Sequence, residues 1–366
     1  MKQSERLMSL DALRGFDMLF IMGFASLVVA VCGLWPSAVT DAAAASMSHV
    51  AWDGFAHHDT IFPLFLFIAG VSFPYSVAKQ RAGGMSEGRI YAKIVRRGLT
   101  LVVLGMVYNG LFKLDFENLR IASVLGRIGL AWSIAAVLYL NFGVKTRAAI
   151  AVAVLAGYGA LSALVAAPDA AGAGPLTFEG NLAGYIDRQF LPGKLIYGSF
   201  DPEGLLSTVP AVVTAMLGMF TGEFVRRGDI RGGRKTLWMA AAAAALLAAG
   251  LALSGVLPVN KKLWSSTFVC VVGAYSLGMF ALFYYLIDVR GWRRWTLFFR
   301  VVGLNSITIY LAQRIVGFGR ISDFFLGGIA SKCPEAVAAV ISSAGYVAVC
   351  WLFLYFLYRK NVFLKV

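Results

Sequence analysis

Residues 59–78 read Asp59-Thr60-Ile61-Phe62-Pro63-Leu64-Phe65-Leu66-Phe67-Ile68-Ala69-Gly70-Val71-Ser72-Phe73-Pro74-Tyr75-Ser76-Val77-Ala78. From Thr60 to Ala78 no residue carries a charge. As a helix rising about 1.5 Å per residue, this stretch nearly matches the ~30 Å hydrocarbon core of a bilayer. Working outward, similar apolar stretches lie near residues 15–35, 95–112, 121–140, 147–166, 205–225, 236–255, 266–287, 296–315 and 335–357. Composition agrees: 59% of the 366 residues are apolar and 14% charged, whereas a soluble domain carries about 25% charge. The expected fold is therefore all-α, a polytopic bundle of about ten transmembrane helices forming one domain over residues 1–366. The first apolar stretch exceeds the ~7 to 15 residues of a signal-peptide core, which favours a helix. Residues 316–334 are Gly-rich and too short to span, which predicts a loop or re-entrant piece.

The net charge of +14 would suggest nucleic acid in a soluble protein. Here the basic residues sit mainly between apolar spans and report topology instead. With the N-terminus placed inside, alternate loops hold 22 Lys and Arg on the inner side against 8 on the outer, with Arg127, Arg300 and Arg314 inside spans. Both termini are thus expected in the cytoplasm. The four cysteines, Cys32, Cys270, Cys333 and Cys350, show neither CxxC nor metal-like spacing, and a disulfide is disfavoured.

This topology puts the loop of residues 36–59 outside. It holds no Lys or Arg, yet it contains every histidine of the chain: His49, His57 and His58. If the segment is helical, His49, Asp53 and His57 share one face at steps of four. A carboxylate accepting from one imidazole nitrogen fixes the tautomer and leaves the other free to take a proton, as a general base requires. Two other readings stay open at this point. The loop is a solvated connection whose histidines are incidental, or His49, Asp53, His57, His58 and Asp59 supply metal ligands. The absence of HExxH and of any cysteine partner disfavours the metal.

The block His49-Val50-Ala51-Trp52-Asp53-Gly54, followed by Asp59 to Gly70, resembles the HxxWNGxxxxDxxFPxFxFIxG signature of the heparan-α-glucosaminide N-acetyltransferase family. Ser9-Leu10-Asp11-Ala12-Leu13-Arg14-Gly15 is similar to its SxDxxRG opening. Arg120-Ile121, Val124 to Gly129, Asp201 to Thr208, Asn260 to Trp264 and Gly303-Leu304-Asn305 keep the order of its bacterial members. The resemblance implies a bacterial inner-membrane enzyme that takes acetyl from cytosolic acetyl-CoA to an amino sugar or related acceptor on the periplasmic side, with no metal. It implies that His49 is base or acyl carrier. Two departures stand out: Asp53 replaces the Asn of the animal enzymes, and Ala25 stands where they carry an active-site Asn.

Further expectations follow from physics and position. Asp53 and Asp59 are expected either to orient His49 or to hold the acceptor amine. Acetyl-CoA cannot cross lipid, but its thin pantetheine arm can thread a protein passage with cations at the inner end. Arg14, Arg89, Lys93, Arg96, Arg97, Arg226 and Arg227 are the candidate cations there, with Asp11 also expected at the cofactor. A charge inside a span costs at least about 2.5 kcal/mol unless it has a partner or faces a cavity. Arg127 and Asn305 are accordingly expected as cavity liners, and an ion pair is the rival reading for Arg127. Trp52, Arg120, Lys261 and Trp264 are expected at the acceptor, with the aromatics stacking on a sugar face and the outer loop 167–204 as a cap. Partners are the bilayer and the acceptor, with a homodimer allowed for and no nucleic acid. The competing class is an amino-sugar permease, against which no inverted internal repeat is visible.

Overall fold

The computed structural model describes residues 7–364, which are helical with two isolated β-bridges and no strands. Helices α1 (Met8–Leu19) and α2 (Ala25–Cys32) make one membrane-length rod, broken at Phe20–Phe24 where Gly23 adopts φ 108°. Next come α3 (Ala38–Ala45), α4 (Ile61–Ala82), α5 (Glu87–Tyr108), α6 (Val124–Asn141), α7 (Val144–Leu164) and α8 (Leu182–Phe190). The chain continues through α9 (Leu205–Arg226), α10 (Gly232–Leu253), α11 (Ser266–Phe283), α12 (Thr296–Leu304), α13 (Ser306–Ile315), α14 (Phe318–Ala330) and α15 (Glu335–Arg359).

Eight helical rods among the described residues are long and apolar enough to cross a bilayer, so the polytopic all-α class holds, and two of the ten expected spans are not among these eight. Two expected spans differ for different reasons. Helix α5 is long enough, but Glu87, Arg89, Lys93, Arg96 and Arg97 charge its first half. The span expected at 296–315 is two short helices broken at Asn305. Residues 316–334, expected as a loop or re-entrant piece, are not a loop: they hold α14, a helix too short to span that folds back on α15, with Ser322 Oγ against Gly345 and Phe318 against Phe353.

In lipid, helices associate through close packing because hydrocarbon supplies no hydrophobic drive between them. Gly70 of α4 and Gly218 and Gly222 of α9 serve that end. A Cβ at Gly218 would lie 2.0 Å from the Phe67 carbonyl oxygen, and one at Gly70 would lie 2.2 Å from that of Ala215. The α4–α9 pair forms the centre of the bundle, with Phe62, Leu66 and Phe73 packed among Ala211, Ala215 and Met219. Gly15 and Gly303 lock α1 to α12 in the same way. These rigid crossings fix the start of α4, where the outer histidines lie.

Candidate functional site

Residues 50–56 form no helix, so the expected His49–Asp53–His57 face does not exist. The loop instead folds back so that His49 Nδ1 lies 2.7 Å from Asp59 Oδ1, while the Val50 amide donates to Asp59 Oδ2 at 3.3 Å. Asp59 is 2% exposed, whereas the His49 side chain is 53% exposed. Lys261 Nζ stands 3.4 Å from Asp59 Oδ1 and 3.1 Å from His49 Nδ1. Nδ1 cannot both donate to Asp59 and accept from Lys261. The carboxylate, flanked by both, favours the tautomer with the proton on Nδ1 and the Lys261 ammonium paired with Asp59. Nε2 of His49 then carries the free lone pair on the exposed side of the ring. The His58 ring lies 4.6 Å from that of His49. Burial lowers Lys261 below the usual lysine range, and the Asp59 charge offsets part of that shift.

Asp53 has another role from the one expected. Its Oδ1 accepts from the Val259 amide at 2.8 Å, while the Gly54 amide donates to the Val259 carbonyl at 3.0 Å. Gly54 holds φ 133°, a conformation that favours glycine. Lys262 adds a third tie, donating to the Ala51 carbonyl at 2.6 Å. Together these stitch the histidine loop to the loop between α10 and α11 and bring Lys261 into place.

The outer segment 167–204 packs on the same site. The Trp52 indole N–H donates to the Leu176 carbonyl at 2.8 Å, and its ring packs against Phe178 and Phe200. Arg120 donates to both oxygens of Asp201 at 2.6 Å and to Glu203. Burial alone would lower the Arg120 guanidinium, but the two acids hold it above its ordinary range. Its donors bind the cap, so the expectation that it meets the acceptor gives way to a structural one. Sequence reasoning missed Asp187, which is fully buried and accepts from the Leu205 amide at 2.9 Å and the Asp201 amide at 3.2 Å. Burial pushes its carboxyl up to about 6. No motif marks it, and it is one of several acids in the outer segment, with Asp169, Glu179, Asp201 and Glu203.

Trp264 is fully buried, its indole N–H donating to Thr214 Oγ1 at 3.2 Å and its ring against Phe62. The expected stacking on a sugar is overturned for this residue. Arg127, 2% exposed, sits 5.0 Å over the Trp264 ring and donates to Ser207. It lines an apolar cavity with Glu203 and Thr208. Asn305, expected to line a cavity, instead holds the C-terminal tail, donating to the Val362 carbonyl at 3.0 Å and accepting from the Leu364 amide at 3.4 Å.

A cavity of about 380 Å³ lies within the bundle. Arg14, Arg97 and Leu364 line it at one end, Ala69 and Ile307 farther along, and Phe62 and Val124 at the other. Phe62 is three residues from Asp59, so the cavity ends one helical turn from the histidine pair. Of the expected inner cations, Arg14 and Arg97 line this space, while Arg96 is exposed outside it. Asp11 stands 3.6 Å from Arg14 and holds it in place. Arg97 lies 4.3 Å over the Trp132 ring.

Sequence comparison relates this arrangement to known proteins. A family profile described as "Heparan-alpha-glucosaminide N-acetyltransferase, catalytic" matches residues 6–251. The Homo sapiens protein named heparan-alpha-glucosaminide N-acetyltransferase is 27% identical over 372 aligned positions, covering 87% of this chain and 55% of its own length. The Mus musculus protein of the same name is 26% identical, with 87% and 56% covered. The chain thus spans about half the length of the curated relatives it matches.

Proposed function

Because the chain belongs to the heparan-alpha-glucosaminide N-acetyltransferase catalytic family, we propose that it moves an acetyl group from acetyl-CoA to the amine of a glucosamine-like acceptor across the membrane. The observation that carries this reading is the His49–Asp59 pair at 2.7 Å, one helical turn from the end of a cavity whose other end holds Arg14 and Arg97. Guanidinium groups are suited to the phosphates of CoA, and the apolar middle suits its pantetheine arm. The excess of Lys and Arg on the Arg14 side supports placing that side in the cytoplasm and both termini with it, in a bacterial inner membrane.

In the proposed reaction the acceptor nitrogen attacks the thioester carbonyl. The new C–N bond forms as the C–S bond breaks, and the sulfur leaves as CoA thiolate, which takes a proton to become the thiol. His49 Nε2 takes the proton that the amine loses, with Asp59 stabilising the imidazolium. Asp59 and Lys261 hold the ring in the productive tautomer, and Asp53 anchors the loop that carries it.

The direct test is transfer of labelled acetyl from acetyl-CoA to glucosamine by the detergent-purified protein. His49→Ala is expected to abolish transfer while acetyl-CoA still raises the melting temperature. Glucosamine uptake into proteoliposomes with no acetylated product would sink the transferase reading and favour a permease.

A further inference from the structure

A second space opens beside His58. Two contiguous lobes, of about 550 and 590 Å³, share Ile21, Gly23, Ser26 and Ser343 between α2, α14 and α15. Each falls within the roughly 300–1,000 Å³ of small-molecule sites. One lobe reaches Met47 and His58, which puts it next to the His49 ring. The other is bounded by Ser322, Asp323, Ser342 and Tyr346. The break at Gly23 shapes the junction: Tyr346 packs so near that a Cβ there would meet its ring at 2.7 Å.

The lining chemistry is out of keeping with a lipid-facing groove. Phe324 and Phe325 on α14 are 82% and 68% exposed and suited to lipid, whereas the buried Ser322 and the exposed Asp323 line the groove. Ser322 is 4% exposed and its hydroxyl has no hydrogen-bond partner among the described residues. A buried hydroxyl left unpaired costs about 1–3 kcal/mol, a cost that a ligand hydroxyl would remove. Asp323 makes no ion pair among the described residues. A polyhydroxylated ring would find several hydroxyls and a carboxylate to bond. Helices α14 and α15 lie beyond the residues matched by the family profile.

We propose that this groove is the acceptor subsite: the hydroxyl-rich body of the sugar lies between α2, α14 and α15, bonded by Ser322, Asp323 and Ser343, so that its amine emerges at His58 beside His49. The inference rests on the transferase reading for its last step, but not for binding. The acceptor is therefore held by helices outside the histidine loop, and a sugar of two rings fits better than one.

The test is equilibrium binding of radiolabelled glucosamine and of its β-1,4-linked disaccharide to the full chain in nanodiscs, beside the acetyl-CoA thermal shift. The disaccharide is expected to bind tighter than glucosamine. Asp323→Asn, which keeps the shape of the side chain, and Ser343→Leu, which fills the junction of the lobes, are each expected to weaken binding at least about tenfold and leave the acetyl-CoA shift intact. Sugar binding unchanged in both variants, no sugar binding by the natural chain, or loss of acetyl-CoA binding together with sugar binding would each overturn the subsite. A chain that binds sugar in this variant-sensitive way but transfers no acetyl keeps the subsite and sinks the transferase reading alone.

Discussion

Lys261 brings its ammonium to 3.4 Å from Asp59 Oδ1, joining the loop after α10 to the start of α4. The nearly buried carboxylate is thereby shared between an imidazole and a lysine. A buried anion with one ammonium neighbour, an imidazole N–H donor and an amide donor is well compensated. That compensation keeps Asp59 ionised, which in turn sets the tautomer of His49.

Asp59→Asn tests that dependence. The amide oxygen can still accept from His49 Nδ1, so the fold is expected to persist, but no charge remains to stabilise the imidazolium. Acetyl transfer is expected to fall by about 10²- to 10⁴-fold, the usual range for losing assisted proton transfer. The KM for acetyl-CoA should stay near that of the natural chain. Full activity in steady-state assays would remove Asp59 from the mechanism.

Glycine positions give a prediction of opposite signs for one chemical change. Gly218→Ala would push a methyl to 2.0 Å from the Phe67 carbonyl, forcing α4 and α9 apart at a cost of about 1–3 kcal/mol or more. Gly157, within α7, has nothing within 4 Å of an added Cβ. Gly157→Ala is expected to stabilise by up to about 1 kcal/mol through helix propensity. Thermal unfolding in detergent should show the first variant melting lower than the natural chain and the second equal or higher.

How much of this was legible in the sequence depends on the range of the interaction involved. The span expected at 205–225 is helix Leu205–Arg226, because hydropathy is a local property that the bilayer enforces directly. That residues 316–334 do not span was visible from their length, but that they form α14 depends on tertiary packing such as Ser322 against Gly345. The chemistry-bearing residues of the outer loop were visible from their types, since three histidines gather in a loop free of lysine and arginine. Their pairing was not. Choosing Asp59 over Asp53 as the partner of His49 requires the loop to leave the helical register, which Gly54 and the anchor at Val259 enforce from more than 200 residues away. The burial of Trp264 likewise depends on Phe62 and Thr214, which no spacing rule connects to it.

Asp187 carries a pH prediction with a defined sign. Its carboxyl is raised to about 6 by burial, against an ordinary value of about 4 in the unfolded chain. The folded state therefore binds more protons than the unfolded state between these values. The contribution of this group to stability is complete below about pH 4 and is lost as pH rises through about 6. Asp187→Asn cannot ionise and avoids that loss. The difference in melting temperature, variant minus natural chain, should grow from pH 4 to pH 7. A flat difference over that interval would show that Asp187 is not perturbed by its burial.

The inner arginines separate cavity from surface within two adjacent positions. Arg97 lines the 380 Å³ cavity with Arg14, whereas Arg96 is exposed outside it. Positive-inside bias alone would treat the pair alike, since both serve orientation equally well. If the cavity takes the donor, a guanidinium lining it contributes to phosphate binding and one facing outward does not. Arg97→Gln is expected to weaken acetyl-CoA binding about tenfold or more, near 1.4 kcal/mol, and Arg96→Gln to leave it within twofold. Arg14→Gln should resemble Arg97→Gln, with some further loss of stability because it also removes the ion pair with Asp11, 3.6 Å away. Isothermal titration with acetyl-CoA on all three variants resolves the matter. Equal affinity for the Arg96 and Arg97 variants would mean that the donor does not enter between α1 and α5.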